Sequence, residues 1–175
     1  MNSHGTERQC KGWKFKAMIL DVGCGTPSIY HQSLKGKNII HIDINKNAKH
    51  LDIQCSVYNL PFQNMCFSIV YASHIIEHLD NPTQAIQEMK RVSIKTVIIK
   101  VPNASYYKWK SSSKEHIFSW NKYTLRNFLE RHFMKVVING TQRDISTSRF
   151  RKSLSLFLCL LHGHNELTAI CGDKK

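Results

Sequence analysis

An α/β fold built on a sheet with parallel central strands is the architecture the sequence predicts, and three observations carry that prediction. Short apolar runs alternate with helix-periodic segments, giving the order β–α–β, loop, β–α–β over the first two thirds of the chain. The first apolar run ends in a glycine turn, Asp21-Val22-Gly23-Cys24-Gly25, followed by Thr26-Pro27, which has the chemistry of a helix opening. The polar residues Asp21 and Asp43 close their apolar runs, at the carboxyl ends of strands, where ligands bind such sheets.

The elements follow in order. Met18-Ile19-Leu20 reads as the first strand, and residues 28–34 as a short helix stopped near Gly36. Asn38–Asp43 (NIIHID) is a second strand. Residues 45–51 are polar and too short for a helix, and residues 52–57 hold a brief strand. Phe67–Ala72 (FSIVYA) is the next strand, and Thr83–Val92 a helix with Ala85, Ile86, Met89 and Val92 on one face. Thr96–Val101 (TVIIKV) is a strand closed by Pro102. Tyr123–Phe133 is an amphipathic helix, Lys135–Asn139 a strand, Arg149–Leu161 an apolar segment and Leu167–Cys171 a last strand.

The 175 residues suit one domain, with residues 1–12 as a flexible N-terminal segment. No run of about 18 apolar residues could span a bilayer, and the polar, basic N-terminus lacks the apolar core of a secretory signal, so a cytoplasmic location is expected. The six cysteines form no C-x-x-C pair, which argues against zinc ribbons, thioredoxin-like sites and a disulfide framework. The net charge of +13 is uneven: residues 1–83 carry 8 basic and 6 acidic side chains, residues 84–152 carry 15 and 4, and residues 153–175 carry 2 and 2. A basic second half of this kind can attract a polyanion such as RNA, although scattered Lys and Arg more often make a solvated face.

The glycine turn is the stretch with chemistry in it. Glycines let a backbone approach a ligand closely, and a helix start offers unpaired N–H groups. A dinucleotide fingerprint requires G-x-G-x-x-G, and here Gly23-Cys24-Gly25 is followed by Thr26-Pro27-Ser28, so nicotinamide and flavin are disfavoured. Asp43, 20 residues after Gly23, is placed to accept hydrogen bonds from two ribose hydroxyls, which suits any adenosine-type ligand.

Taken together, LDVGCGT at 20–26, HID at 41–43, NLPF at 59–62, FSIVYASHIIEHLDNP at 67–82 and EMKRV at 88–92 resemble the class I S-adenosylmethionine-dependent methyltransferases, specifically the small type 11 domain. The resemblance covers roughly residues 17–135 and lies in the order and spacing of the motifs. It implies a Rossmann-like methyltransferase fold: a mostly parallel seven-stranded sheet with an antiparallel last strand and helices on both faces. It implies S-adenosyl-L-methionine as cofactor, with Asp21, Gly23 and Gly25 under its methionine part, Asp43 on the ribose and Ile44 against the adenine. Ser56 and Val57 would supply the adenine-edge contact, and Tyr71-Ala72-Ser73 would face the reacting methyl group. The chain departs from the family pattern in four places: Pro27 replaces a third glycine, Ser56 replaces an acidic residue, the crossover after Asp43 is too short for a helix, and Ser93-Ile94-Lys95 replaces a glycine-rich turn.

His74-Ile75-Ile76-Glu77-His78 also matches H-x-x-E-H, an inverted zinc-protease signature. A metal pair of that kind needs a sustained helix, which Asp80-Asn81-Pro82 interrupts, so no metal is expected. His74 and His116 are instead candidate bases, His74 at the methyl-facing edge and His116 near the pocket mouth; His78 is read as a structural hydrogen-bonding residue. The expected activity is methyl transfer to a small molecule, lipid or glycan precursor. The alternatives are an RNA or protein methyltransferase docking through the basic second half, and a non-catalytic binding module. Tyr106, Tyr107 and Trp109, with residues 103–116 and 144–161, would wall the acceptor pocket. The segment SLSLFLCLLHG suits a buried helix better than peripheral membrane contact.

Overall fold

The computed structural model describes residues 18–25, 38–105, 115–141 and 166–173. The helix expected over 28–34, the Thr26-Pro27 helix start, the aromatic trio at 106–109 and the segment 144–163 lie outside the described residues, as does the N-terminal segment.

Seven strands and two helices follow in the order β1 (Ile19–Val22), β2 (Ile39–Asp43), β3 (Ile53–Gln54), β4 (Phe67–Ser73), α1 (Pro82–Val92), β5 (Ser93–Pro102), α2 (Lys122–Leu129), β6 (Lys135–Thr141) and β7 (Glu166–Gly172). The strands form one mixed sheet, ordered β3-β2-β1-β4-β5-β7-β6. Pairing of β1 with β2 and with β4, and of β2 with β3, is parallel; β6 pairs antiparallel with β7, from Lys135 opposite Gly172 to Thr141 opposite Glu166. The chain divides into two compact units, Met1–Ser73 with Asn81–Val97, and His74–Asp80 with Ile98–Lys175.

In the first unit β1 is buried along its whole length, as a central parallel strand with both faces covered must be. The β2 strand alternates, with Ile40 and Ile42 buried and its other residues partly exposed, which fits a strand nearer the sheet edge. α1 forms where the periodicity predicts, and its start has a clear cause. The Asn81 side chain accepts from Gln84 N at 3.2 Å, Pro82 occupies the first turn, and Lys90 and Arg91 lie in the last turn, where the helix dipole favours cations.

Two stretches that sequence reading treats as separate signatures prove to be one clamp. Glu88 Oε2 accepts from Leu60 N at 2.8 Å, and Arg91 pairs with Glu88 at 2.6 Å while donating to the carbonyls of Phe62 at 2.7 Å and Leu60 at 3.0 Å. The helix motif EMKRV thereby holds the turn motif NLPF, and Leu60 and Phe62 are driven into the core.

Ser93-Ile94-Lys95, left outside the strand expected over Thr96–Val101, is part of that strand. Helix α1 passes into β5 with no residue between them. Ser93 Oγ donates to Thr96 O at 3.1 Å, and the Arg91 and Val92 carbonyls at the helix end accept from Met65 N and Cys66 N, both at 2.9 Å. These two amide donors satisfy the last helix carbonyls, as the donors of a glycine-capped end would do.

In the second unit α2 is shorter than its apolar periodicity suggests. An Asn121–Thr124 capping box opens it, and the chain then tightens after Leu129, with Arg131 N on Phe128 O at 3.3 Å and His132 N on Leu129 O at 2.9 Å. Phe133 still reaches the core from this tightened turn, so burial does not require the helix to continue. Trp120 lies between Phe118 and Phe128, with ring centroids 5.7 and 5.0 Å away.

Candidate functional site

The described residues place chemically active side chains in two groups, one in each unit. The first is built on the glycine turn after β1. Gly23 and Gly25 have φ of 70° and 50°, the left-handed conformation that glycine adopts without steric penalty. Gly23 N and Cys24 N both donate to Ile42 O, at 2.9 and 3.0 Å, so the turn is tied to the neighbouring strand β2. Asp43, at the end of β2, accepts from Gly25 N through Oδ2 and from Asn45 N through Oδ1, each at 2.8 Å. Two main-chain donors therefore fix the carboxylate in one orientation. A carboxylate offers about four acceptor positions, so two of Asp43's stay available to hydroxyl donors.

Asp21 is buried in β1 and its Oδ2 lies 2.9 Å from His41 Nδ1. Sequence reading singled out Asp21 and passed over His41; the signal was present in HID, whose alternation puts His41 one strand over and in register with Asp21. Ile44 is 70% exposed, an unusual setting for a large aliphatic side chain beside buried strand ends. Val57 and Ala72 are buried, and Ser56 Oγ accepts from Tyr58 N at 3.2 Å. The Ser73 hydroxyl ending β4 is buried with no hydrogen-bond partner among the described residues. Cys24, inside the glycine turn, has its thiol pushed up to about 11, first by burial and then by the carboxylates of Asp43 and Asp21; it is an inert thiol at neutral pH.

The second group lies in the other unit. His74 follows β4 with φ of 55°, a strained conformation for a residue with a Cβ. Its Nε2 sits 2.7 Å from Glu166 Oε1 at the start of β7, and Glu166 Oε2 lies 3.5 Å from Lys100 Nζ. Its Nδ1 is 3.2 Å from Glu77 Oε1. Both ring nitrogens of His74 thus face carboxylates, which orients the imidazole firmly. Neither Glu166 nor Lys100 was singled out from sequence; a glutamate leading the apolar strand ELTAIC was the available hint. His116 lies against His78, with ring centroids 4.7 Å apart. His78 Nδ1 reaches Glu115 O at 3.1 Å, the structural hydrogen bond expected of it.

The comparisons with known proteins agree with this architecture. Residues 20–99 match the profile of the methyltransferase-domain family of type 11. No curated protein matches the sequence. Among solved structures, an S-adenosylmethionine-dependent methyltransferase from Archaeoglobus fulgidus is 17% identical with a TM-score of 0.67, over 91% of this chain and 87% of that one. A possible histamine N-methyltransferase from Thermotoga maritima is 14% identical with a TM-score of 0.69, over 91% and 83%. Phosphoethanolamine N-methyltransferase 2 from Haemonchus contortus, solved with S-adenosyl-L-methionine, is 12% identical with a TM-score of 0.64, over 94% of this chain and 50% of that one.

Proposed function

We propose that the chain is a class I S-adenosylmethionine-dependent methyltransferase that transfers the methyl group of S-adenosyl-L-methionine to a small-molecule acceptor, a reading supported by the match of residues 20–99 to the methyltransferase-domain family and by the fold. The observation that carries the cofactor reading is the pairing of two left-handed glycines with a carboxylate held 2.8 Å from the second of them. In this reading Gly23 and Gly25 let the main chain lie against the methionine part, and Asp21, buried beside His41, faces its ammonium. Asp43 holds the ribose hydroxyls through its remaining acceptor capacity. Ile44 covers one face of the adenine, and the Ser56–Val57 backbone meets its edge.

The cofactor supplies an electrophilic sulfonium methyl, so the protein contributes alignment and exclusion of water rather than bond activation. Ala72, with no side chain beyond Cβ, leaves room at the end of β4, and the unpartnered Ser73 hydroxyl offers a donor there. His74 is the candidate base, with Glu166 orienting its ring. His116, the second candidate base, lies instead against His78 and beside Glu77. Support for a small acceptor comes from the neighbours named for histamine and phosphoethanolamine.

Calorimetry tests this reading directly. The chain is expected to bind S-adenosylmethionine and its demethylated product, and Asp43→Ala to lose about tenfold to a hundredfold in affinity, the worth of one hydrogen bond to a charged group. A folded wild-type chain with no affinity for either molecule would sink the enzyme reading. Labelled-methyl transfer to a cell extract then separates acceptors: label in the small-molecule fraction is expected, and label confined to RNA or protein would replace the small-molecule acceptor.

A further inference from the structure

We propose that Glu77, His78 and His116 form a binding site for a divalent transition-metal ion of the zinc type. One candidate ligand atom from each of the three lies within 4.8 Å of the other two. Tetrahedral bonds of about 2.0–2.1 Å put ligand atoms about 3.3 Å apart, so small side-chain rotations close the set around an ion.

Three features distinguish this cluster from a chance meeting of polar residues. The first is Glu77 itself, whose side chain is 1% exposed. Neither of its oxygens accepts a hydrogen bond among the described residues. His74 Nδ1 stands 3.2 Å from Oε1 but out of hydrogen-bonding alignment, and a neutral imidazole has a single N–H, for which Glu166 at 2.7 Å is the shorter partner. A buried carboxylate without donors is costly, and a cation at its open side removes that cost.

The second feature is the tautomer of His78. Its Nδ1 reaches the Glu115 carbonyl at 3.1 Å, so Nδ1 carries the proton and Nε2 keeps its lone pair. Metal-binding histidines are oriented in this way, one ring nitrogen donating to a carbonyl while the other meets the ion. The third is how His116 is brought in. The Glu77 carbonyl accepts from both Ile117 N at 2.8 Å and Phe118 N at 3.0 Å, which seats the residue before them beside the Glu77-His78 pair.

The donor set names the metal. Two imidazoles and one carboxylate suit zinc, cobalt, manganese or iron rather than calcium or magnesium, which prefer oxygen throughout. Three protein ligands leave a coordination position open, the arrangement of sites that hold a substrate or water. H-x-x-E-H in the sequence pointed to the wrong set: it pairs His74 with His78, whereas His74 is engaged by Glu166 and the third ligand comes from the segment before α2.

The test uses the full chain, stripped of metal by chelation and titrated with cobalt(II) in the absence of S-adenosylmethionine. A saturable one-to-one visible absorption band, displaced by zinc, is expected. His78→Ala and His116→Ala should each weaken binding by at least about tenfold with unchanged circular dichroism. No saturable binding to the folded wild-type chain overturns the site, as does binding that both variants retain. Should His78→Ala fail to fold, His116→Ala alone decides, because that side chain is only partly buried. Because the titration contains no S-adenosylmethionine, failure of the metal site and failure of the cofactor reading appear in separate experiments.

Discussion

The two units hold their carboxylates by different means. In the first, main-chain N–H groups do most of the work: Gly25 and Asn45 on Asp43, His41 on Asp52, Leu60 on Glu88. In the second, the buried Glu166 rests on the side chains of His74 and Lys100 and the buried Glu77 accepts no hydrogen bond among the described residues, while main-chain donation is seen at Asp173, from Met134 N at 3.2 Å. Main-chain donors are fixed by the fold and cannot swing away, so they preorganise a carboxylate for a ligand of constant shape. Side-chain partners can rearrange, which suits a place where something variable is held, such as an acceptor or an ion.

The largest effect expected from breaking this contrast is in the second unit. Glu166→Ala removes the partner of both His74 and Lys100 and should cost about 3 kcal/mol, the lower end for a broken buried pair because both partners are about one-fifth exposed. Urea unfolding reads this as a lower midpoint at unchanged slope. Arg91→Ala, in the first unit, should cost about 2 kcal/mol, since its loss strips the carbonyls of Leu60 and Phe62 of a donor but leaves Glu88 its bond from Leu60 N. A larger loss for Arg91→Ala than for Glu166→Ala would reverse the contrast.

The smallest effect concerns the buried thiols. Burial raises Cys24 and Cys55 from 9.0 to about 11 and Cys171 to about 12. A thiol whose folded value lies above its unfolded one contributes stability that is whole below pH 9 and lost as pH rises through 11 to 12. Urea midpoints should therefore decline across that window. Cys24 and Cys55 are also raised by the Asp43 carboxylate, Cys171 by burial alone, so Asp43→Ala should speed alkaline alkylation of Cys24 and leave Cys171 unchanged. Equal acceleration at both would mean the variant had loosened the whole fold.

Much of the frame was legible because it is written in local patterns. The strands β2 and β4 are apolar runs ending at polar residues, β1 is an apolar run carrying Asp21 before its last residue, and the loop after Asp43 follows from too few residues for a helix. Helix α1 was visible in its apolar spacing, although Asn81-Pro82, read only as a helix breaker, also caps it. Less legible was whatever depends on a partner far along the chain. The strand character of Ser93–Lys95 comes from pairing, not from its own composition. The end of α2 is set by a tight turn while Phe133 still packs, so the apolar spacing ran on past the helix. His116 meets Glu77 and His78 only because two amides beyond it bond the Glu77 carbonyl. No spacing rule connects them.

The direct junction between α1 and β5 bears on how the chain can change in length. With no linker residue to absorb it, one residue inserted at Val92–Ser93 would reverse the facing of the whole strand, sending Val97, Ile99 and Val101 out of the core. The open loop between Asp43 and Ile53 carries no such coupling. An inserted residue should therefore be tolerated there and not at the junction, which makes the α1–β5 step the place where the length of this chain is fixed.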